Sequence, residues 1–449
     1  MMNFTTSLWP ERPSHSFVVL TTITATFAIF ITLRRYLYPR HPRIIPGPLK
    51  TVIPNLTKDE VANLDYTPDY FPGARDVQTP YGSMRVYEFG PTTGRKILFI
   101  HGISTSCQTL TKLAYGLAAR GHRVMLFDLF GRGFSDGVGD LPHDARLYVS
   151  QALCALASSP LSWMDGSTGG FDLAGYSLGG GVAVHFAASF PAAVRSLILL
   201  APAGMIRKES FGAVTRFVFT AGLVPERVLA ALTRWKLQKP IASAAAKRPR
   251  QQQQKEGEAK PLLTGANGPK GQEGSSSTST STATVSEKPE RQSNGTKHQQ
   301  HQHSHSATNP VSMATSETQP AHAHESADRL ERRVMRYVRW MLTNHAGFVP
   351  AFMSTIREAP LMGQDDAWSR VGASRRAGTT CVILGQDDEI IDPEAYEEDA
   401  LPLLGGRAQV RWRVFPAASH DFPMTHAEET LDELDAFWAE FPAAEESIA

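Results

Sequence analysis

The sequence predicts an α/β fold, a mostly parallel sheet covered by helices on both faces with a helical lid inserted into it. Three observations carry that expectation. Short apolar runs ending in turns recur along the chain, and helix-periodic stretches separate several of them. A serine set between glycines also stands where one such run passes into a helix. With 449 residues there is room for one large domain and additions to it.

Taken in order, the elements begin with an uncharged run, Ser16 to Leu33. As a helix it is about 27 Å long at roughly 1.5 Å per residue, enough to cross a bilayer core. Thr21, Thr22, Thr24 and Thr26 weaken its apolar character, but threonine hydroxyls can bond back to the preceding helical turn. Arg34, Arg35 and Tyr36 follow where a cleaved leader would carry small residues, so a single-pass anchor is expected rather than a signal peptide. Arg34, Arg35, Arg40 and Arg43 lie after the run, against Arg12 before it. The positive-inside rule then predicts a cytosolic position for the rest of the chain, with the endoplasmic reticulum as a candidate membrane. The sequons at Asn55 and Asn294 argue weakly for the opposite side.

Residues 34–72 carry Pro39, Pro42, Pro46, Pro48 and Pro54, which predicts an extended stalk. The body follows in two parts, residues 73–204 and 372–449. Strands are expected at Lys96 to Ile100, Arg123 to Asp128, Phe171 to Ala174, Ser196 to Leu200, Thr379 to Leu384 and Val410 to Phe415. Helices are expected at Leu110 to Arg120, Asp144 to Ser158, Leu178 to Ser189 and Glu428 to Phe441. Between the two parts, residues 205–371 are strand-poor and helical, which reads as the lid. Within the lid, residues 242–326 hold Gln, Ser/Thr and His/Gln tracts. Such composition buries too little apolar surface to offset its ordering entropy, and disorder is expected there. Its histidines read as solvated bias rather than a metal site.

A formal net charge of +1 leaves no field to recruit nucleic acid, and no basic stripe with interleaved aromatics exists. Cys107, Cys154 and Cys381 are far apart, without a CxxC pair, against both a disulfide framework and a structural zinc site.

The chemistry concentrates at Gly175-Tyr176-Ser177-Leu178-Gly179, directly after an expected strand and before an expected helix. This is the G-x-S-x-G turn in the setting that gives it meaning. The tight turn exposes Ser177 at a helix N-terminus, and its flanking glycines avoid backbone collisions. Gly180 and Gly181 are expected to let the helix pack closely on the sheet. A serine alcohol needs a base, oriented by an acid, in chain order Ser, acid, His. The acid is expected after the strand ending Gly385-Gln386-Asp387-Asp388, with Asp388 preferred and Asp387 and Asp392 as alternatives. His420 in Ser419-His420-Asp421 is the expected base, and His426 a solvated residue near the last helix. The oxyanion needs two backbone donors, expected at Leu178 and at Ile103 in His101-Gly102-Ile103-Ser104. One such donor contributes about 3 kcal/mol of transition-state stabilisation. His101 itself is expected to be structural.

These motifs, with Asp128-Leu129-Phe130-Gly131-Arg132-Gly133-Phe134-Ser135-Asp136, resemble the α/β-hydrolase superfamily in its lipase and esterase branch. Serine at the elbow departs from the epoxide hydrolases and haloalkane dehalogenases, which carry Asp there. An anchored, single-lid enzyme resembles membrane-bound monoacylglycerol-lipase-type hydrolases. The resemblance implies ester hydrolysis through an acyl-serine, on a small-molecule or acyl-lipid ester, with no cofactor or metal. Phe211, Phe217, Phe219, Phe348, Phe352 and Met353 are candidate lid residues for an acyl pocket. Thioester, amide or carbon–carbon cleavage remains open on the same triad. A non-catalytic scaffold of this fold would commonly lose the serine or histidine, and both are present.

Overall fold

The computed structural model describes residues 15–38, 40–164, 170–207, 224–238 and 321–440. The sequon at Asn294, most of the low-complexity tract and Phe211, Phe217 and Phe219 lie outside them. Helix α1 (His15–Leu37) is long and apolar enough to cross a membrane and buries none of its residues. The hydroxyls of Thr21, Thr22 and Thr24 donate to carbonyls one turn back, each at 2.8 Å, so their polarity is absorbed inside the helix.

The segment expected as a stalk is folded onto the body. Strand β1 (Ile44–Ile45) pairs antiparallel with β6 (Gly137–Val138), and the short helices α2 (Pro48–Thr51) and α3 (Lys58–Ala62) follow. The Gly47 N–H donates to Asp136 at 2.8 Å, and Lys50 pairs with the same carboxylate at 2.6 Å. Tyr66, Tyr70 and Phe71 are buried in the core. The reason is local. Pro48 starts α2 and Pro54 sits in a 3-10 turn, so these prolines punctuate turns while the aromatics that follow them supply buried area.

The central sheet has eight strands in the order β10-β9-β8-β7-β4-β5-β3-β2. They are β2 (Arg75–Thr79), β3 (Gly82–Phe89), β4 (Lys96–Ile100), β5 (Arg123–Phe127), β7 (Phe171–Tyr176), β8 (Val194–Leu200), β9 (Thr380–Gly385) and β10 (Val410–Phe415). From β10 to β5 all pairings are parallel, while β3 runs antiparallel to both β5 and β2. The parallel strands are the expected apolar runs, which such strands need when both faces are covered. Strands β2 and β3 are absent from the sequence expectation, because Ser83, Arg85 and Glu88 interrupt the run. Glu88 is nonetheless buried, satisfied by Arg75 at 2.8 Å and Arg123 at 3.2 Å.

Helices α4 (Thr111–Ala119), α5 (Ala145–Ala157) and α6 (Leu178–Ser189) flank the sheet. The lid carries α7 (Glu226–Gln238), α8 (Ala327–Asn344) and α9 (Phe348–Glu358). Helix α10 (Asp365–Ser374) packs on α6, so the lid ends before residue 371 and this helix belongs to the sheet layer. The end of the low-complexity tract is ordered too. Ala321–His324 form a 3-10 turn, and His322 stacks 4.1 Å from Tyr70. Phe348 and Met353 are buried in the common core, with Phe352 packed against it. Helices α11 (Pro393–Asp399), α12 (Phe422–Thr425) and α13 (Ala427–Ala439) complete the chain's described part.

Candidate active site

The C-terminal ends of β7, β9 and β10 deliver the three expected side chains to one place. Ser177, between β7 and α6, has φ 55° and ψ −119°. A side chain held at positive φ costs about 1–3 kcal/mol, and surrounding bonds hold it there. Its N–H donates to the Leu200 carbonyl at 3.0 Å, and its own carbonyl accepts from Ala203 at 2.8 Å. A Cβ on Gly175 would stand 2.2 Å from the Gly179 carbonyl oxygen, and one on Gly179 would stand 2.0 Å from that of Ile100. Only glycine fits either position. Gly180 and Gly181 have a different role from the expected one. A Cβ there would meet Pro202 at 2.5 Å and the Pro360 carbonyl at 2.4 Å, so they admit the segments that lead into and out of the lid.

The Ser177 Oγ lies 3.0 Å from His420 Nε2, and His420 Nδ1 lies 2.8 Å from Asp388 Oδ2. With the ring proton on Nδ1 donated to the carboxylate, Nε2 is left to accept the serine proton. The second Asp388 oxygen accepts the N–H groups of Ile390 and Ile391, both at 2.8 Å. This fixes the carboxylate plane, and the side chain is fully buried. Asp392 instead caps α11, accepting from Glu394 at 3.0 Å, and Asp387 is exposed. Gly385 lets the two loops meet, since a Cβ would lie 2.4 Å from the Ala418 carbonyl oxygen. The Tyr176 hydroxyl donates to the His420 carbonyl at 3.0 Å, bracing the histidine from the elbow itself.

Beside the serine runs the His101–Ser104 loop, where a Cβ built on Gly102 would sit 3.5 Å from the Ser177 Cβ. Among the described residues, neither the Ile103 nor the Leu178 N–H has a protein acceptor. Uncommitted backbone donors are the kind of group that an oxyanion requires. His101 is structural: Nδ1 donates to the Gly102 carbonyl at 2.8 Å and Nε2 accepts the Leu129 N–H at 2.9 Å. Burial pushes its pKa down to about 3, so the ring stays neutral. Asp128 accepts from Tyr66 at 3.1 Å, Cys107 N–H at 3.1 Å and Phe134 N–H at 3.0 Å. Burial nonetheless lifts its carboxyl to about 6. His101, Cys107 and Asp128 bring ligand-type atoms within 4.8 Å of one another, and those of His101 and Asp128 are engaged in these bonds.

Two residues that the sequence reading does not single out belong to this side of the site. Tyr66 comes from the supposed stalk and carries no motif. Arg132 had a signal, a lone cation between two glycines of the Asp128–Asp136 loop.

Strand order and the strained serine between strand and helix are those of the α/β-hydrolase fold. Residues 92–271 match the family model described as "Serine aminopeptidase, S33". A serine hydrolase-like protein of Danio rerio is 30% identical over 29% of this chain and 38% of its own length. The lipase LipV of Mycobacterium tuberculosis is 32% identical over 27% of this chain and 42% of its own. The chain thus spans about two-fifths of these curated relatives. Among solved structures, an esterase from Thermogutta terrifontis is 16% identical, with a TM-score of 0.49 over 82% of this chain and 98% of its own. A bacterial membrane phospholipase A is 16% identical, with a TM-score of 0.49 over 94% and 96%.

Proposed function

We propose that this protein is a membrane-anchored serine hydrolase that cleaves carboxylic esters of amphipathic or acyl-lipid type. The observation that carries the reading is the unbroken relay from Ser177 through His420 to Asp388 at 3.0 and 2.8 Å. His420 takes the proton as Ser177 attacks the ester carbonyl, and Asp388 holds the tautomer and stabilises the imidazolium. The N–H groups of Ile103 and Leu178 receive the oxyanion. His420 then protonates the leaving alcohol, and water resolves acyl-Ser177 by the same route. Helix α1 supports the anchor, and an anchored site favours substrates that partition into the bilayer. The lipase name of one of the similar proteins supports this class.

A fluorophosphonate probe tests the reading. Wild type should label and Ser177→Ala should not; unlabelled, folded wild type refutes it. The family model's description favours a second reading, amide cleavage at a peptide N-terminus. Turnover of aminoacyl p-nitroanilides above p-nitrophenyl esters would select it. A glycosidase-sensitive mass shift at Asn55, which is exposed, would overturn the cytosolic orientation.

A further inference from the structure

Arg132 is fully buried, and no carboxylate is among its hydrogen-bond or ion-pair partners in the described residues. An isolated buried guanidinium is costly, so its neutral acceptors must all be well placed. Nε donates to the Ile103 carbonyl at 3.0 Å, in the loop beside Ser177. One terminal nitrogen donates to the Phe130 carbonyl at 2.9 Å and to the Tyr148 hydroxyl at 3.0 Å. The other donates to Thr355 Oγ1 on lid helix α9 at 2.9 Å. The proton wiring closes. Tyr148 donates onward to Thr355 at 2.7 Å, and Thr355 donates to the Ala351 carbonyl at 2.7 Å, inside α9.

The lid helix is seated where this network demands it. A Cβ on Gly131 would lie 2.4 Å from that of Ala351, and one on Gly137 would lie 2.9 Å from the Gly347 Cα. The Asp128–Asp136 loop therefore accepts α9 at backbone distance. His143 reports the same charge from the other side: it is buried, its N–H donates to Ser354 of α9 at 3.0 Å, and its ring nitrogens have no partner among the described residues. Burial chiefly, then the Arg132 charge, pushes its pKa down to about 3.

We infer that Arg132 is a positioning residue that clamps the Ile103 loop to lid helix α9, so that seating the lid and aligning one oxyanion donor are a single event. A guanidinium suits this work because its planar fork sets several acceptors at fixed angles, which a lysine ammonium cannot do. The inference rests on the ester-hydrolase reading for its catalytic consequence, but the mechanical clamp is measurable without turnover.

The test uses the full-length protein in detergent micelles, comparing wild type, Thr355→Val, Thr355→Ser and Arg132→Lys. Thr355→Val keeps the side-chain shape and removes the lid-side acceptor; Thr355→Ser restores the hydroxyl. With p-nitrophenyl esters, kcat should fall about 10-fold in Thr355→Val and up to about 100-fold in Arg132→Lys, with KM nearly constant, because a misaligned donor acts only in the transition state. Thr355→Ser should recover most of the loss. Hydrogen exchange of amides in residues 102–106 should quicken in Thr355→Val and return to normal in Thr355→Ser. Unchanged exchange in Thr355→Val, or a loss confined to KM, overturns the clamp. An inactive wild type whose loop exchange still responds to Thr355 overturns the hydrolase reading and leaves the clamp standing. If Arg132→Lys does not fold, the two Thr355 variants decide the matter alone.

Discussion

The two halves of the sheet's C-terminal edge are built on opposite terms. On the β7–β9–β10 side, each functional group hangs from a strand end by a few local bonds, and glycines clear the space around it. On the β4–β5 side, His101, Asp128, Arg132 and Asp136 form a buried polar lattice that gathers the N-terminal segment and the lid onto two loops. The first half holds the groups that would react and little that stabilises. The second holds none of the reacting groups, and three separate parts of the chain depend on it. Each of the three side chains is fixed by the turn at its own strand end, although Ser177 and His420 meet across 243 positions. The lattice, by contrast, is long-range in every bond that ties it to the N-terminal segment and the lid.

That contrast breaks first at Ser177. Replacing it with Ala should remove at least about 10⁴-fold of kcat while the melting temperature moves by no more than a few degrees. Activity and calorimetry measured together check this. Should the melting temperature collapse as well, the first half is not energetically light. On the other side, Asp128→Ala should cost about 3–5 kcal/mol of stability, since it strands the Tyr66 hydroxyl and two backbone N–H groups in a dry site. Denaturant titration reads it, and a loss below about 1 kcal/mol would show that the lattice is not structural.

Acid sharpens the comparison further. His101, His143 and His345 are held neutral chiefly by burial, with pKa values pushed down to about 3, 3 and 4. An unfolded chain protonates them near the ordinary value, so it binds more protons, and stability is lost as pH falls below about 6.5. The slope is up to about 1.4 kcal/mol per pH unit for each ring. Asp128, raised to about 6, works the other way: its folded form gains relative to the unfolded one as pH drops from about 6 toward 4. Three rings outweigh one carboxyl, so the melting temperature should fall between pH 7 and pH 5. His143→Phe should flatten that fall. The smallest expected effect is at Gly102, where an added Cβ meets only ordinary contacts at 3.4 Å and beyond. Gly102→Ala should change stability by less than about 1 kcal/mol, whereas Gly179→Ala, with its 2.0 Å collision, should abolish soluble protein. Expression and melting of the pair decide it.

Much of the first half was legible because its residues are chosen by their immediate neighbours. The Gly175–Gly179 turn, the strand ending at Gly385 and the His420 loop each announce themselves within a few positions, and the structure brings Ser177 and Asp388 within hydrogen-bond distance of His420. The choice among Asp387, Asp388 and Asp392 needed coordinates, because all three lie near the strand end and only their bonds tell a relay from a helix cap. The second half was legible only in outline. Residues 34–72 read as a stalk because proline counts say nothing about which aromatic finds a partner; Tyr66 reaches Asp128 across 62 positions. Strand β3 was hidden since its buried Glu88 is tolerated only once Arg75 and Arg123 arrive from other strands.

By itself, then, the sequence determined the alternating elements, the apolar first helix and the order of the candidate serine, carboxylate and histidine. Those follow from periodicity, turn chemistry and steric need, all properties of a few consecutive residues. The tertiary structure alone decided where the N-terminal segment lies and what holds a buried arginine, and it set the preferred Asp388, not its two neighbours, against His420. A buried charge or hydroxyl is acceptable only beside its partners, and those partners come from distant parts of the chain.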